Sequence, residues 1–183
     1  VRLSMDLDLQ RTLEDAFGEK IGTAVVLDPR NGELLALGSF PSFDPNFFSG
    51  RFDEEQWKAL SHDPDHRLQN RAIQGWYPPG SAFKLVIAAA ALEEGIITPE
   101  TRMTCHGAVR LYGKPFRCHK GSGHGSVDLH EAIKQSCNVF FYQVGVKLQI
   151  ETIARYARLM GMGSVTGIDL PYEVEGLVPD PDW

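Results

Sequence analysis

The sequence predicts an α/β fold of the α+β kind, with helices packed on a mainly antiparallel sheet. Three features point to it. Two short apolar runs, Thr23 to Leu27 and Glu33 to Leu37, are joined by turn residues; the stretch from Ser81 to Glu94 is apolar at helical length; and a series of helical segments fills Asp128 to Met160. At 183 residues the chain is the size of one core, because chains divide into separate cores only well beyond this length. The expectation is therefore part of a single domain over 1–183.

The elements follow in order. Between Asp6 and Phe17, Leu7, Leu9, Leu13, Ala16 and Phe17 recur near helical spacing and Gly18 supplies a stop, so a first amphipathic helix is expected. Asp28-Pro29-Arg30-Asn31-Gly32 is turn chemistry, which makes the flanking runs a β-hairpin. Ser39 to Gly50, rich in Pro, Phe, Ser and Asn, reads as an ordered loop whose aromatics pack down, and Asp53 to Leu60 as a short surface helix. Tyr77-Pro78-Pro79-Gly80 is a rigid loop opening the buried helix Ser81 to Glu94, which Gly95 ends. In the irregular, Gly-rich and basic stretch Thr101 to Gly125, Val109 to Tyr112 and Pro115 to Arg117 are hairpin arms. Helices are expected over Asp128 to Gln135, Val139 to Leu148 and Ile150 to Met160, with a break at Ser136-Cys137-Asn138.

Charge and hydropathy exclude several classes of function. Eighteen basic against 24 acidic residues leave a net charge of −6, whereas phosphate neutralisation needs clustered Lys and Arg, so no nucleic-acid partner is expected. An apolar content of 43% with 23% charged residues lacks the signature of disorder. The longest apolar run, around Leu85 to Leu92, falls far short of the roughly 20 residues that cross a bilayer. Val1-Arg2-Leu3-Ser4 carries no signal core, which places any export or anchor segment outside these residues.

Ser81-Ala82-Phe83-Lys84 is the only Ser-x-x-Lys in the chain, and it opens the apolar helix. Residues three apart on a helix are neighbours, so the Ser81 hydroxyl and the Lys84 amine are expected to share a hydrogen bond. A serine is a weak nucleophile until a base takes its proton, and a lysine serves as that base when burial keeps it neutral. The helix N-terminus adds unpaired N–H groups that favour developing negative charge. The plainer reading makes Ser81 a helix cap and Lys84 a surface cation. Ser136-Cys137-Asn138, the only Ser-x-Asn, lies 55 residues beyond Ser81. Its hydroxyl and amide suit proton relay and the holding of a substrate amide, against a plainer reading as the caps of adjoining helices.

Cys105, Cys118, His124 and Cys137 are separated by 12, 5 and 12 residues. Three thiolates and an imidazole suit a closed, structural tetrahedral zinc site. A Cys105–Cys118 disulfide with Cys137 free, and three buried free thiols, compete with it. His62, His66, His106, His119 and His130 are left out as loop or surface residues.

Taken together, Ser-x-x-Lys followed by Ser-x-Asn resembles the penicillin-binding protein transpeptidases. The likeness extends to Asn70-Arg71-Ala72-Ile73-Gln74-Gly75 leading into Tyr77 to Ser81, to Asn138-Val139-Phe140-Phe141-Tyr142-Gln143, and to the hairpin Val25 to Leu37. These segments look like the class B, cell-elongation type, penicillin-binding protein 2, and the resemblance runs from Asp6 to Asp182. It implies a β-lactamase/transpeptidase-like fold and D,D-transpeptidation of peptidoglycan stem peptides in bacterial cell-wall synthesis. Ser81 would be the acylated nucleophile, Lys84 its general base, Ser136 a proton relay and Asn138 a substrate ligand. Penicillins and other β-lactam antibiotics would acylate the same serine.

The family's third motif, Lys-Thr-Gly or Lys-Ser-Gly, does not occur here, since Lys120-Gly121-Ser122-Gly123 has the letters in another order. The resemblance therefore implies that the third motif, an amino-terminal anchor and a pedestal domain lie outside these residues, and that the fragment alone is catalytically incomplete. It implies further an extracytoplasmic, periplasmic location at the inner membrane and a membrane glycosyltransferase of the elongation machinery as partner. No catalytic cofactor is implied. Some relatives hold zinc at positions matching Cys105, Cys118, His124 and Cys137, which favours the metal among the three readings; the metal would then pin the loop carrying Ser136 and Asn138. Serine β-lactamase and a non-catalytic β-lactam-binding sensor domain are the rival functions.

Overall fold

A computed structural model describes residues 3–50 and 53–183. They form two compact units, Val1–Trp76 with Asp169–Val174, and Tyr77–Ile168 with Glu175–Trp183. Every strand pairing among the described residues is antiparallel, and helices supply most of the remaining regular structure.

In the first unit, α1 (Leu7–Phe17) starts where expected, because the Asp6 carboxylate accepts hydrogen bonds from the N–H groups of Asp8 and Leu9 at 2.9 and 3.0 Å. Strands β1 (Gly22–Leu27) and β2 (Leu34–Phe40) form the predicted hairpin, with Val25 opposite Leu37. At its turn the Arg30 guanidinium forks the Asp28 carboxylate. The Gln10 side-chain amide ties α1 to β2, donating to the Leu37 carbonyl at 3.1 Å and accepting from its N–H at 3.0 Å. Leu13, Ala36 and Phe40 make a small core on which the Phe17 ring stacks 4.3 Å away. A Cβ at Gly38 would overlap the Leu13 and Phe40 side chains, so only glycine fits between them.

The loop expected over Ser39 to Gly50 contains a 3-10 turn, Pro45–Phe48, whose Phe48 ring lies edge-on to Phe43, Phe47 and Trp57. Helix α2 (Glu54–Ser61) follows, capped by Asp53. A short helix not anticipated from sequence, α3 (Arg71–Gln74), is capped by Asn70, and the Arg71 guanidinium is buried against the carbonyls of Asp65 and His66. The charge there is thus held by backbone oxygens.

The second unit is built on α4 (Phe83–Glu93) packed against α6 (Asn138–Leu159). Ile87, Ala90 and Ala91 of α4 meet a core that includes Val139, Phe140, Phe141, Val144 and Leu148 of α6. Between these helices run β3 (Met103–Cys105), β4 (Ala108–Leu111), β5 (Lys114–Arg117), β6 (Gly125–Val127) and α5 (Leu129–Lys134). The β4–β5 hairpin was legible in the sequence; the β3–β6 pair was not, since three-residue strands are too short to show a period. Asp128 caps α5 and also accepts from Arg102 at 3.0 Å. The expected division between Leu148 and Ile150 is present as a break inside α6, where Gln149 takes φ 65° and ψ 161°.

Candidate active site

The helix expected to begin at Ser81 begins instead with a 3-10 turn, Gly80–Ala82, and becomes α-helical at Phe83. The difference arises from Pro78-Pro79, which removes two N–H donors, and from Gly80, whose φ of 56° suits a residue without Cβ. Ser81 therefore stands on the tight entry turn, exposed, while Lys84 sits half-buried at the start of α4. The N-cap positions of this turn and of α4 fall on Pro79 and Ala82, neither with a side-chain capping bond. The second motif occupies the α5–α6 junction. The chain leaves α5 with Cys137 N–H donating to the Ala132 carbonyl at 2.8 Å, and Ser136 held at φ 51°. That left-handed conformation is disfavoured for a residue with a Cβ, and such strain clusters at functional sites.

The two motifs meet. The Ser81 and Ser136 hydroxyls share a hydrogen bond of 2.9 Å. Lys84 Nζ donates to the Ser136 carbonyl at 2.8 Å, to Ser136 Oγ at 2.9 Å and to Asn138 Oδ1 at 2.6 Å. Among the described residues no hydrogen bond joins Ser81 directly to Lys84, contrary to the expectation from their spacing; Ser136 Oγ lies between them. Two of the three Lys84 partners, a carbonyl and an amide oxygen, can only accept. A neutral amine must turn its two N–H groups to them, and its lone pair then faces the Ser136 hydroxyl. That arrangement allows a proton to pass from Ser81 through Ser136 to Lys84. Asn138 Nδ2 donates at 3.5 Å to the Arg117 carbonyl, linking the junction to β5.

Burial lowers the pKa of Lys84 from the ordinary lysine range, and the nearby Cys118 and Cys137 thiols act in the opposite direction. The net direction favours the neutral amine that the relay requires.

Cys105, Cys118, His124 and Cys137 converge, with their ligand atoms all within 4.8 Å of one another. The three thiols are buried and no disulfide joins them, so the structure lacks the Cys105–Cys118 bridge considered from sequence. Two glycines allow the approach: a Cβ at Gly107 would meet the Gly121 carbonyl, and one at Gly123 the Cys105 carbonyl. Burial opposes ionisation of Cys118, but N–H groups of Lys120, Asn138 and Val139 outweigh it and bring the thiol down to about 7. Burial pushes Cys137 up to about 11. Burial lowers the His124 pKa as well, with His119, Lys120 and Lys84 adding to it, and so favours the neutral imidazole that ligates metals. His119 lies beside the cluster, its ring 5.1 Å from that of His124.

A cavity of about 1000 Å³ opens at Ser81, Lys84 and Asn138 and continues along α6 as far as Ile153. Its wall includes Tyr112, Phe116 and Tyr142, the last two edge-on at 5.5 Å. From sequence, Tyr112 and Phe116 belong to hairpin arms and Tyr142 to a segment that carries the family resemblance, but none of the three was expected at the site. The one available signal was Tyr112-Gly113 at the tip of the hairpin, and nothing in the spacing linked that tip to Ser81.

A sequence model of the penicillin binding protein transpeptidase domain matches residues 22–183. The chain belongs to the penicillin-binding protein transpeptidase family. Within that family it is 40% identical to the peptidoglycan D,D-transpeptidase MrdA of Acinetobacter baumannii, over 99% of this chain and 27% of that protein. Among solved structures it resembles penicillin-binding protein 2 of Helicobacter pylori, alone and in complex with MreC, with a TM-score of 0.94 at 37% identity over 98% of this chain and 34% of those chains. It is also similar to the penicillin G acyl-enzyme complex of penicillin-binding protein A from Mycobacterium tuberculosis, with a TM-score of 0.87 at 32% identity over 97% of this chain and 44% of that one. The chain thus spans about a quarter to under a half of the proteins it matches, and has their fold. No helix among its described residues is long and apolar enough to cross a membrane.

Proposed function

We propose that this chain carries the acylating machinery of a peptidoglycan D,D-transpeptidase of the cell-elongation type. The observation that supports it most is the hydrogen-bonded path Ser81–Ser136–Lys84, which offers a nucleophile, a relay and a base in one connected group. In this reading Ser81 Oγ attacks the carbonyl of the D-Ala–D-Ala bond while its proton moves through Ser136 Oγ to Lys84 Nζ. The tetrahedral intermediate collapses, the C–N bond breaks, and D-alanine leaves with a proton returned along the same path. The ester on Ser81 is then attacked by an amine of a neighbouring stem peptide, which gives up its proton to Lys84; the C–O bond breaks, and that proton returns through Ser136 Oγ to Ser81 Oγ as the serine is freed. Asn138 accepts from the amine of Lys84 through Oδ1, and in this reading its Nδ2 would donate to a substrate amide carbonyl.

A penicillin offers the same chemistry with a leaving group that stays tethered, and the acyl-enzyme named for the mycobacterial relative supports transfer of that behaviour to Ser81. The test is intact mass with peptide mapping of the whole protein after incubation with benzylpenicillin, beside a Ser81→Ala control. A single adduct on the peptide containing Ser81, absent from the control, is expected. No adduct on folded protein would return Ser81 and Lys84 to the roles of turn residue and surface cation. Rapid release of hydrolysed penicillin would indicate a β-lactamase instead.

We infer also that Cys105, Cys118, His124 and Cys137 hold a structural zinc ion. A tetrahedron with bonds of about 2.3 Å has edges of about 3.8 Å, so ligand atoms within 4.8 Å need to close by an ångström or less. Four ligands would leave no open position, so the metal would act by fixing Cys137 between Ser136 and Asn138. Elemental analysis of reduced, metal-replete protein should find one zinc per chain; substantially less would refute it. The complex of the Helicobacter pylori relative with MreC, together with the family resemblance, supports a place on the periplasmic side of the inner membrane beside MreC and a membrane glycosyltransferase.

A further inference from the structure

The β4–β5 hairpin ends in a two-residue turn, because Leu111 pairs with Lys114 and leaves only Tyr112 and Gly113 between the strands. Both have positive φ, 50° and 75°, which is the type I′ turn that hairpins favour. Its first central position prefers Asn, Asp or Gly, since a side chain with a Cβ is disfavoured there and a bulky one most of all. Tyr112 nevertheless occupies it. Its side chain also gains little from packing, being 83% exposed. The residue is thus unfavourable for the hairpin and contributes nothing to the core, yet its side chain lines the cavity that Ser81, Lys84 and Asn138 share.

The hairpin is also well anchored at its other end. The Cys118 N–H donates to the Gly107 carbonyl at 2.8 Å, and the Arg117 carbonyl accepts from Asn138. Phe116, on the same arm, is braced edge-on against Tyr142 of α6. A short, pinned arm therefore carries a strained aromatic from the Asn138 junction out to the cavity rim. The strain is understandable if the ring is held there for a ligand.

We propose that Tyr112 is a specificity-determining residue that packs its ring on the acyl donor, against the part preceding the carbonyl attacked by Ser81. This rests on the acyl transfer proposed above. A tyrosine face suits the planar amides and aliphatic side chains of a peptide donor, and equally the acylamino side chain of a penicillin, which occupies the same position relative to the attacked carbonyl.

The experiment measures second-order acylation rate constants in the whole protein with two probes, benzylpenicillin and 6-aminopenicillanic acid, which lacks the acyl side chain. The variants are Tyr112→Asn, which supplies the residue preferred by the turn, and Tyr112→Phe, which keeps the ring. Tyr112→Asn is expected to lower the benzylpenicillin to 6-aminopenicillanic acid rate ratio about three- to tenfold, the factor an aromatic contact supplies. The same substitution should raise the thermal midpoint, and Tyr112→Phe should retain the parental ratio. A ratio in Tyr112→Asn equal to the parent's overturns the proposal, whatever happens to stability. A ratio that falls equally in Tyr112→Phe overturns it also, because the ring would not then be the cause. If the parent itself forms no Ser81 adduct, the acyl-transfer reading fails, and that failure is distinct because it precedes any comparison of variants.

Discussion

Lys84 Nζ binds Ser136 twice, through the carbonyl oxygen at 2.8 Å and through Oγ at 2.9 Å, so one amine fixes both the backbone and the hydroxyl of the residue bridging it to Ser81. The carbonyl can only accept, and holding it orients the amine. The hydroxyl can both give and receive, and it completes the hydrogen-bonded path to Ser81.

Ser136→Ala is expected to slow acylation of Ser81 by penicillin by about 10²- to 10⁴-fold, the range for loss of a positioned proton-transfer group. The fold should survive, since the substitution leaves the Ser136 carbonyl and its bond to Lys84 in place. Stopped-flow or mass-resolved acylation kinetics check this, with circular dichroism as the control for folding.

If Lys84 is the general base proposed above, the acylation rate should rise with pH through its titration, since only the neutral amine can take a proton. Burial places that titration below the ordinary lysine value of 10.5. The sign for stability follows: the folded state binds fewer protons than the unfolded state between the lowered pKa and 10.5. The contribution of Lys84 to stability is therefore greatest above 10.5 and declines as pH falls through that window. A pH–rate profile, compared with Lys84→Met, tests the first statement, and chemical denaturation at several pH values in that window the second.

Removing metal by chelation should lower the thermal midpoint and slow penicillin acylation together, and stoichiometric zinc should restore both. At a free zinc concentration 100-fold above its dissociation constant, binding adds about 2.7 kcal/mol of stability. Loss of stability without slower acylation would separate the cluster from the Ser136 junction.

Gly107→Ala should destabilise the second unit by about 2–4 kcal/mol. Its Cβ would meet the Gly121 carbonyl, and the backbone, at φ 89°, is one that L-residues rarely adopt. Denaturation midpoints check the magnitude.

Gln149→Gly should act in the opposite direction, adding about 1 kcal/mol or more. Gln149 holds φ 65° and ψ 161°, a region that glycine enters freely and other residues enter only under strain. Equilibrium unfolding of the parent and the variant would show it.

Much of this architecture was legible in the sequence because its signals are local. The helical spacing of Leu7, Leu9, Leu13, Ala16 and Phe17 with Gly18 behind it marked α1, Asp28 to Gly32 marked the first hairpin, and Gly95 the end of α4. The pairing of β3 with β6 was hidden, since Met103–Cys105 meets Gly125–Val127 across 20 or so residues and neither strand is long enough to show alternation. Helix α3 was hidden for the same reason, being only four residues long.

By itself, the sequence determined which residue types could do chemistry and the order in which they occur. Ser81 with Lys84, Ser136 with Asn138, and the set Cys105, Cys118, His124 and Cys137 were all readable as motifs. Only the tertiary structure decided how they connect. Spacing on a helix placed Ser81 beside Lys84, but the 3-10 entry turn and the packing of α4 on α6 interpose Ser136 Oγ between them. The same packing decides that Tyr112, 31 residues from Ser81, shares its cavity. Motifs record local backbone preference, whereas the contacts between them depend on burying one apolar face against another, and that is settled by the whole core.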